Sequence, residues 1–153
     1  MTSAEKKLRE LGVELPEVPK PVAAYVPAVR SGRFVYVSGQ LPLKDGRLTA
    51  TGKVGADVSP EEAKEAARVA AINALAALRS VAGSLDAVVR IVKVTGYVAS
   101  APGFTGQPGV VNGASELLKE VFDEAGAHAR AAVGVAELPL GAPVEVELIA
   151  EVG

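Results

Sequence analysis

Apolar positions recur along this chain in two rhythms, one helical and one alternating, and the change from one to the other marks out its elements. Ala63, Ala66, Ala70, Ala74, Ala77, Leu78 and Val81 return at helical spacing, a face of small side chains suited to lying flat on a sheet. Ahead of them Ser59, Pro60 and Glu62 supply a cap, a first-turn proline and the carboxylate of a capping box, and Gly83 supplies the stop. Ser59 and Glu62 are therefore read as structural. A second helix is predicted over Asn112 to Ala125, with Ala114, Leu117, Leu118, Val121, Phe122 and Ala125 inward and Gly126 behind it. Ala24 to Val29 and Arg33 to Ser38 have β-propensity and are joined through Arg30, Ser31 and Gly32, which predicts a hairpin. Val88 to Val98 reads as a central strand. Ala131 to Leu138 and Val144 to Val152 read as two more, split by the turn-forming Pro139 to Pro143.

Residues 4 to 12 read as a short charged helix with Leu8 and Leu11 on one side, followed by Pro16, Pro19 and Pro21. This gives an N-terminal extension over residues 1–20 and one domain over 21–153. Gly39 to Asp57 is expected to be a long surface loop or irregular strand. The order ββ-α-β-α-ββ implies an α+β domain with a partly parallel, mixed sheet and two helices on one face. Strands this apolar leave the other face in need of cover, and oligomerisation is expected to provide it.

Composition narrows the function classes. At 153 residues and 49% apolar side chains the chain has the size of a single domain with a real core, and aromatics at 4%, with apolar content that is mostly Ala and Val, mean that this core packs around small side chains. The net charge of −2, with no run of Lys or Arg, offers nothing for a phosphate backbone to concentrate on. With no cysteine, thiolate catalysis, disulfides and cysteine-based zinc sites are excluded. The first residues lack the ~7–15-residue apolar core of a secretory signal, and no stretch approaches the ~20 apolar residues that span a bilayer. Cytoplasm is the expected compartment.

Few residues remain to carry chemistry. Gly46 to Lys53 suggests a phosphate loop, but the glycines are one residue too far apart and Val54 stands where a hydroxyl would bind magnesium. His128, the single histidine, is read as a surface residue after a helix. Arg130 stands at the mouth of the apolar run AAVGVAEL, either as a grip for a carboxylate or as an ordinary strand-end arginine. Glu145 and Glu147 alternate with Val144, Val146 and Leu148, so both carboxylates share a face that either meets water or lines a site.

Tyr25, Val37-Ser38-Gly39-Gln40, Asn112 opening the second helix, Ala129-Arg130, Leu138-Pro139 and Val144-Glu145-Val146-Glu147 stand in an order that resembles the RidA/YjgF family over roughly Pro21 to Glu151. That family comprises imine deaminases and carries the older label endoribonuclease L-PSP. The resemblance implies a chorismate-mutase-like fold of the bacillus type, three copies forming a barrel with clefts between subunits, and cofactor-free hydrolysis of reactive enamines and imines such as 2-aminoacrylate. Carried over by position, Arg130 would bind the substrate carboxylate, Glu145 would orient the attacking water, and Tyr25, Ser38 and Asn112 would line the cleft. Ala132 stands where well-studied members often have cysteine, and Ala99 to Val111 reads as a lengthened loop, either a lid or variable surface, so a divergent subgroup is implied. The N-terminal extension is expected over the cleft or a neighbouring subunit. Two other functions compete: a non-catalytic homotrimer that binds keto acids or amino acids in a regulatory role, and, ranked last, an endoribonuclease. Neither a membrane nor a nucleic acid is an expected partner.

Overall fold

The computed structural model describes residues 3–18 and 23–153, so the expected boundary between residues 20 and 21, with Pro19 and Pro21, lies outside the described residues. Helix α1 (Ala4–Glu10) is capped by Ser3, whose side chain accepts from the Lys6 N–H, and it turns Ala4 and Leu8 into the core while Leu11 stays exposed. Glu5 ties it down by binding the Arg79 guanidinium at 3.0 Å and accepting the Leu85 N–H at 2.8 Å.

Strands β1 (Ala28–Ser31) and β2 (Phe34–Gln40) form the expected hairpin, turning on Gly32 at φ +62°. Strand β1 starts four residues later than Ala24, because Pro27 has no N–H to give a ladder. The loop expected from Gly39 to Asp57 contains a two-strand ribbon, β3 (Leu43–Lys44) and β4 (Arg47–Leu48), which reverses through Asp45 and Gly46, both at positive φ. Helix α2 (Pro60–Ala82) begins with the anticipated capping box, both reciprocal bonds of Ser59 and Glu62 being present. Strand β5 (Val88–Ala99), helix α3 (Gln107–Phe122), strand β6 (Ala129–Val135) and strand β7 (Val144–Val152) complete the chain.

The sheet runs β1-β2-β7-β5-β6, with β5 and β6 parallel and every other pair antiparallel. Helices α2 and α3 cover one face. Val144, Val146, Leu148, Ala150 and Val152 of β7 point into that layer and are at most 2% exposed. Two glycines bring the layers together: a Cβ on Gly96 would overlap the Val111 side chain, and one on Gly113 would overlap the Lys64 carbonyl oxygen. Helix α3 therefore lies against both β5 and α2, at backbone distance from the latter.

Among the described residues the opposite face is bare. Cross-strand partners share a face, so the register places Phe34 and Tyr36 with Glu151 and Ile149, and Tyr97 with Glu145 and Val133, all away from the helices. Phe34, Tyr36 and Val133 are 39%, 44% and 41% exposed in the single chain. Among the described residues no polar or charged side chain is fully buried, which leaves the half-covered edges and the bare face as the places for chemistry.

Candidate functional site

Arg130 is the second residue of β6, inside the strand rather than ahead of it. It pairs with Val94, whose side chain is buried under the helices, so the arginine points to the helix side of this edge strand. There it meets α3. Its Nη1 donates to Asn112 Oδ1 at 2.7 Å and to Ser115 Oγ at 3.2 Å, and Nη2 donates to the Pro108 carbonyl at 3.4 Å. Asn112 and Ser115 face it together because residues three apart share a helix face.

Asn112 does not open this helix, as its spacing suggested. Helix α3 starts five residues earlier at Gln107, with Pro108 in its first turn, where a missing N–H costs nothing. Gln107 is held by the Phe104 carbonyl at 2.8 Å and Ser100 Oγ at 3.2 Å. The expected 99–111 loop therefore shrinks to a short connection, and its second half is helix under Arg130.

His128 is half-buried rather than a surface residue, and both ring nitrogens are engaged. Nδ1 lies 2.6 Å from the Gly126 carbonyl and Nε2 lies 2.9 Å from Ser115 Oγ. A carbonyl only accepts, so Nδ1 carries the ring proton, Nε2 is bare, and the Ser115 hydroxyl donates to it. Burial lowers the His128 pKa, the Gly126 bond raises it and the Arg130 charge lowers it further, which keeps the ring neutral.

Glu145 belongs to a second cluster. It lies on the bare face of β7, where it packs against the β2 bulge at Gly39; a Cβ at that glycine would come within 2.5 Å of Glu145 Oε2. Burial raises the Glu145 pKa and the charge of Glu147 raises it further. The Tyr97 hydroxyl donates to Glu147, and that bond, with burial and then the two carboxylate charges, pushes its pKa up to about 12. Ser38 Oγ donates to the Val26 carbonyl at 2.7 Å and so fixes the segment carrying Tyr25, which is 65% exposed. Tyr25 and Gly39 line a mostly apolar cleft of about 520 Å³ whose other walls include Pro16, Val18, Leu41 and Asn73. The N-terminal segment thus lies along the cleft.

The structure brings Arg130 together with Asn112, and Tyr25 and Ser38 near Gly39 and Glu145, but it does not join the two groups in one chain. Arg130 faces the helix side of β6; Glu145 faces the bare side of β7, two strands away, roughly 10 Å across the sheet. The cleft lining includes neither Arg130 nor Asn112. Among the described residues no group of three or more His, Asp or Glu side chains could hold a metal ion. Ser115 and Tyr97 are participants that sequence reasoning missed, and His128 is one that it read as a surface residue. The available signals were the three-residue step from Asn112 to Ser115 and the two-residue step from His128 to Arg130.

A family model described as "YjgF/chorismate_mutase-like, putative endoribonuclease" matches residues 5–152. Protein TCP17 of Trypanosoma cruzi is 46% identical over 145 residues, which cover 94% of this chain and 91% of that one. The crystal structure of Atu1372, a protein of unknown function from Agrobacterium tumefaciens, superposes with a TM-score of 0.91 at 46% identity, covering 98% of this chain and 92% of its own. A 2-iminobutanoate/2-iminopropanoate deaminase of Dermatophagoides farinae is 30% identical over 137 residues, 90% of this chain and 92% of the relative.

Proposed function

Since the chain belongs to the RidA/YjgF family, we propose that it hydrolyses small carboxylate-bearing imines and enamines to the keto acid and ammonia, in clefts formed between three copies. The observation that carries this reading is the Arg130 guanidinium, held along Nη1 by Asn112 and Ser115 and, among the described residues, without a hydrogen bond at Nε. A substrate carboxylate takes two parallel charge-assisted hydrogen bonds there, and the fork fixes the orientation of the atoms attached to it. The deaminase name of the Dermatophagoides relative supports the substrate class.

Little further machinery is needed. An imine carbon is already electrophilic, so orientation, a placed water and a proton supply account for the chemistry. An enamine first takes a proton at its terminal carbon and gives one up from nitrogen to become the imine. Water oxygen then bonds to the C=N carbon as the C=N π bond opens, its two protons pass in turn through the Glu145 carboxylate to the nitrogen, and the C–N bond breaks as the C=O bond forms, releasing ammonia and leaving the keto acid. The raised Glu145 pKa, caused by burial and the charge of Glu147, suits a group that must both take and return a proton. Because Glu145 and Arg130 face opposite sides of one sheet, a Glu145 acting on a substrate held by Arg130 comes from a neighbouring copy. Association through the bare face also removes Phe34, Tyr36 and Val133 from water.

The test is to generate 2-aminoacrylate with a serine dehydratase and follow its decay with wild type, Arg130→Lys and Arg130→Ala. Wild type should accelerate decay, Arg130→Ala should lose about a hundredfold or more, and Arg130→Lys should recover only part of the loss, since it keeps charge without the fork. If wild type leaves the uncatalysed rate unchanged, the hydrolase reading fails; pyruvate binding without turnover would then favour the regulatory carboxylate-binding trimer.

A further inference from the structure

Resting on the carboxylate reading of Arg130, we propose that Ser115 and His128 are positioning residues that lock the Nη1 edge of its guanidinium, so that a ligand carboxylate docks only along the Nε and Nη2 edge. A guanidinium has five N–H groups. Asn112 Oδ1 and Ser115 Oγ take both hydrogens of Nη1, and the Pro108 carbonyl takes one of Nη2. Among the described residues, no hydrogen bond uses Nε. One donor on Nε and one on Nη2 therefore remain without a protein acceptor among the described residues, as many as the two oxygens of a carboxylate can take.

Ser115 alone would hold this pose poorly. A serine inside a helix readily turns its hydroxyl back onto the carbonyl four residues earlier. The bare Nε2 of His128 at 2.9 Å gives that proton a different acceptor, and the Oγ lone pairs are then turned to Arg130. His128 is fixed in turn by the Gly126 carbonyl at 2.6 Å, and Gly126 packs closely on α3, where a Cβ would overlap the Leu118 carbonyl. The hydrogen bonds run one way: Arg130 donates to Ser115, Ser115 to His128, and His128 to Gly126. Such a chain polarises each member in the same sense. A protonated ring would reverse the Ser115 bond and set a second cation against Arg130, so the buried, neutral state is the one that serves.

A purely structural Ser115–His128 bond would be indifferent to what binds Arg130, and His128 is the only histidine, so its ring resonances are unambiguous. The experiment titrates pyruvate into 15N-labelled full-length protein, reading both its dissociation constant and the His128 Nε2 chemical shift. In wild type, pyruvate should move the Nε2 resonance. Ser115→Ala should abolish that movement and weaken pyruvate about tenfold, the scale of one hydrogen bond to a charged group. His128→Leu should weaken it similarly, while Ser115→Thr, which keeps the hydroxyl, should restore both signals. If Ser115→Ala and His128→Leu bind pyruvate as wild type does while Arg130→Ala does not, the positioning role is overturned and the carboxylate site stands. If Arg130→Ala also binds normally, the carboxylate reading itself falls and takes the positioning role with it.

Discussion

At the edge formed by α3 and β6 a single cation stands among neutral acceptors, whereas on the bare face two carboxylates crowd around one tyrosine hydroxyl. The first cluster is complete within the chain: Arg130, Ser115, His128 and Gly126 hand hydrogen bonds along in one direction and end on a backbone carbonyl. Among the described residues the second is left short of donors. Tyr97 gives its proton to Glu147, and Glu145 is held up in pKa by burial and by its neighbour's charge. A completed network is a rigid holder, while an acid with a raised pKa and no donor of its own is ready for something brought from outside, a water, a substrate or another copy. On the proposed reading the two halves of the candidate site differ in kind: one would position the ligand, the other would exchange protons.

The sharpest way to break this contrast is through the two glycines that position its halves. Gly113→Ala drives a Cβ into the Lys64 backbone carbonyl, which cannot yield, and should lower unfolding free energy by about 1–3 kcal/mol while shifting Asn112 and Ser115 away from Arg130. Gly39→Ala instead meets the far end of the flexible Glu145 side chain and should cost little stability yet displace the carboxylate. Denaturant unfolding combined with pyruvate binding separates the two. Loss of binding is expected only with Gly113→Ala, and equal effects from both would mean that the halves are not independent.

A smaller effect is expected from Glu145→Gln. The folded-state pKa of Glu145 lies above its ordinary 4.5, so the folded protein holds this proton more tightly than the unfolded chain. Its stabilising contribution is present at low pH and lost as pH rises through the raised value. Near neutrality Glu145→Gln should therefore be slightly more stable than wild type, with the gap closing below pH 4.5, while imine turnover falls. A wild type that unfolds later than the variant at neutral pH would show that the carboxylate has a donor after all.

The smallest effect belongs to His128, whose shift has the opposite consequence. Its folded-state pKa lies below 6.5, so the unfolded chain takes up the proton first, and stability present above that pH is lost as pH falls through the lowered value. Thermal unfolding should show a modest acid-side decline in wild type that flattens in His128→Gln. An unchanged pH profile in the variant would mean that the ring is not held neutral by its surroundings.

Much of the fold was legible because it depends on local chemistry. The capping box at Ser59, the small-residue face of α2 and the alternation of Val144 to Val152 each express a preference of neighbouring residues for one another, and the structure keeps all three. Expectation failed where a local cue was weak or missing. Helix α3 has Gly106 as its N-cap and no side-chain cap, so its start was placed at Asn112 instead of Gln107. The ribbon at Leu43–Leu48 was hidden within a loop because two-residue strands have no period to detect.

The site divides the same way. Residue types and spacing by themselves determined that Arg130 could grip a carboxylate and that Glu145 and Glu147 share a face, because strand alternation is a property of the backbone. Only the tertiary structure decided which side of the sheet each occupies, that Asn112, Ser115 and His128 converge on Arg130, and that Glu145 is turned away from it. Those facts depend on strand order and on how closely α3 packs, which the glycines at 96 and 113 set through contacts between residues far apart in the chain. Spacing along a chain carries no record of such contacts, since they arise only when distant segments compete for the same volume.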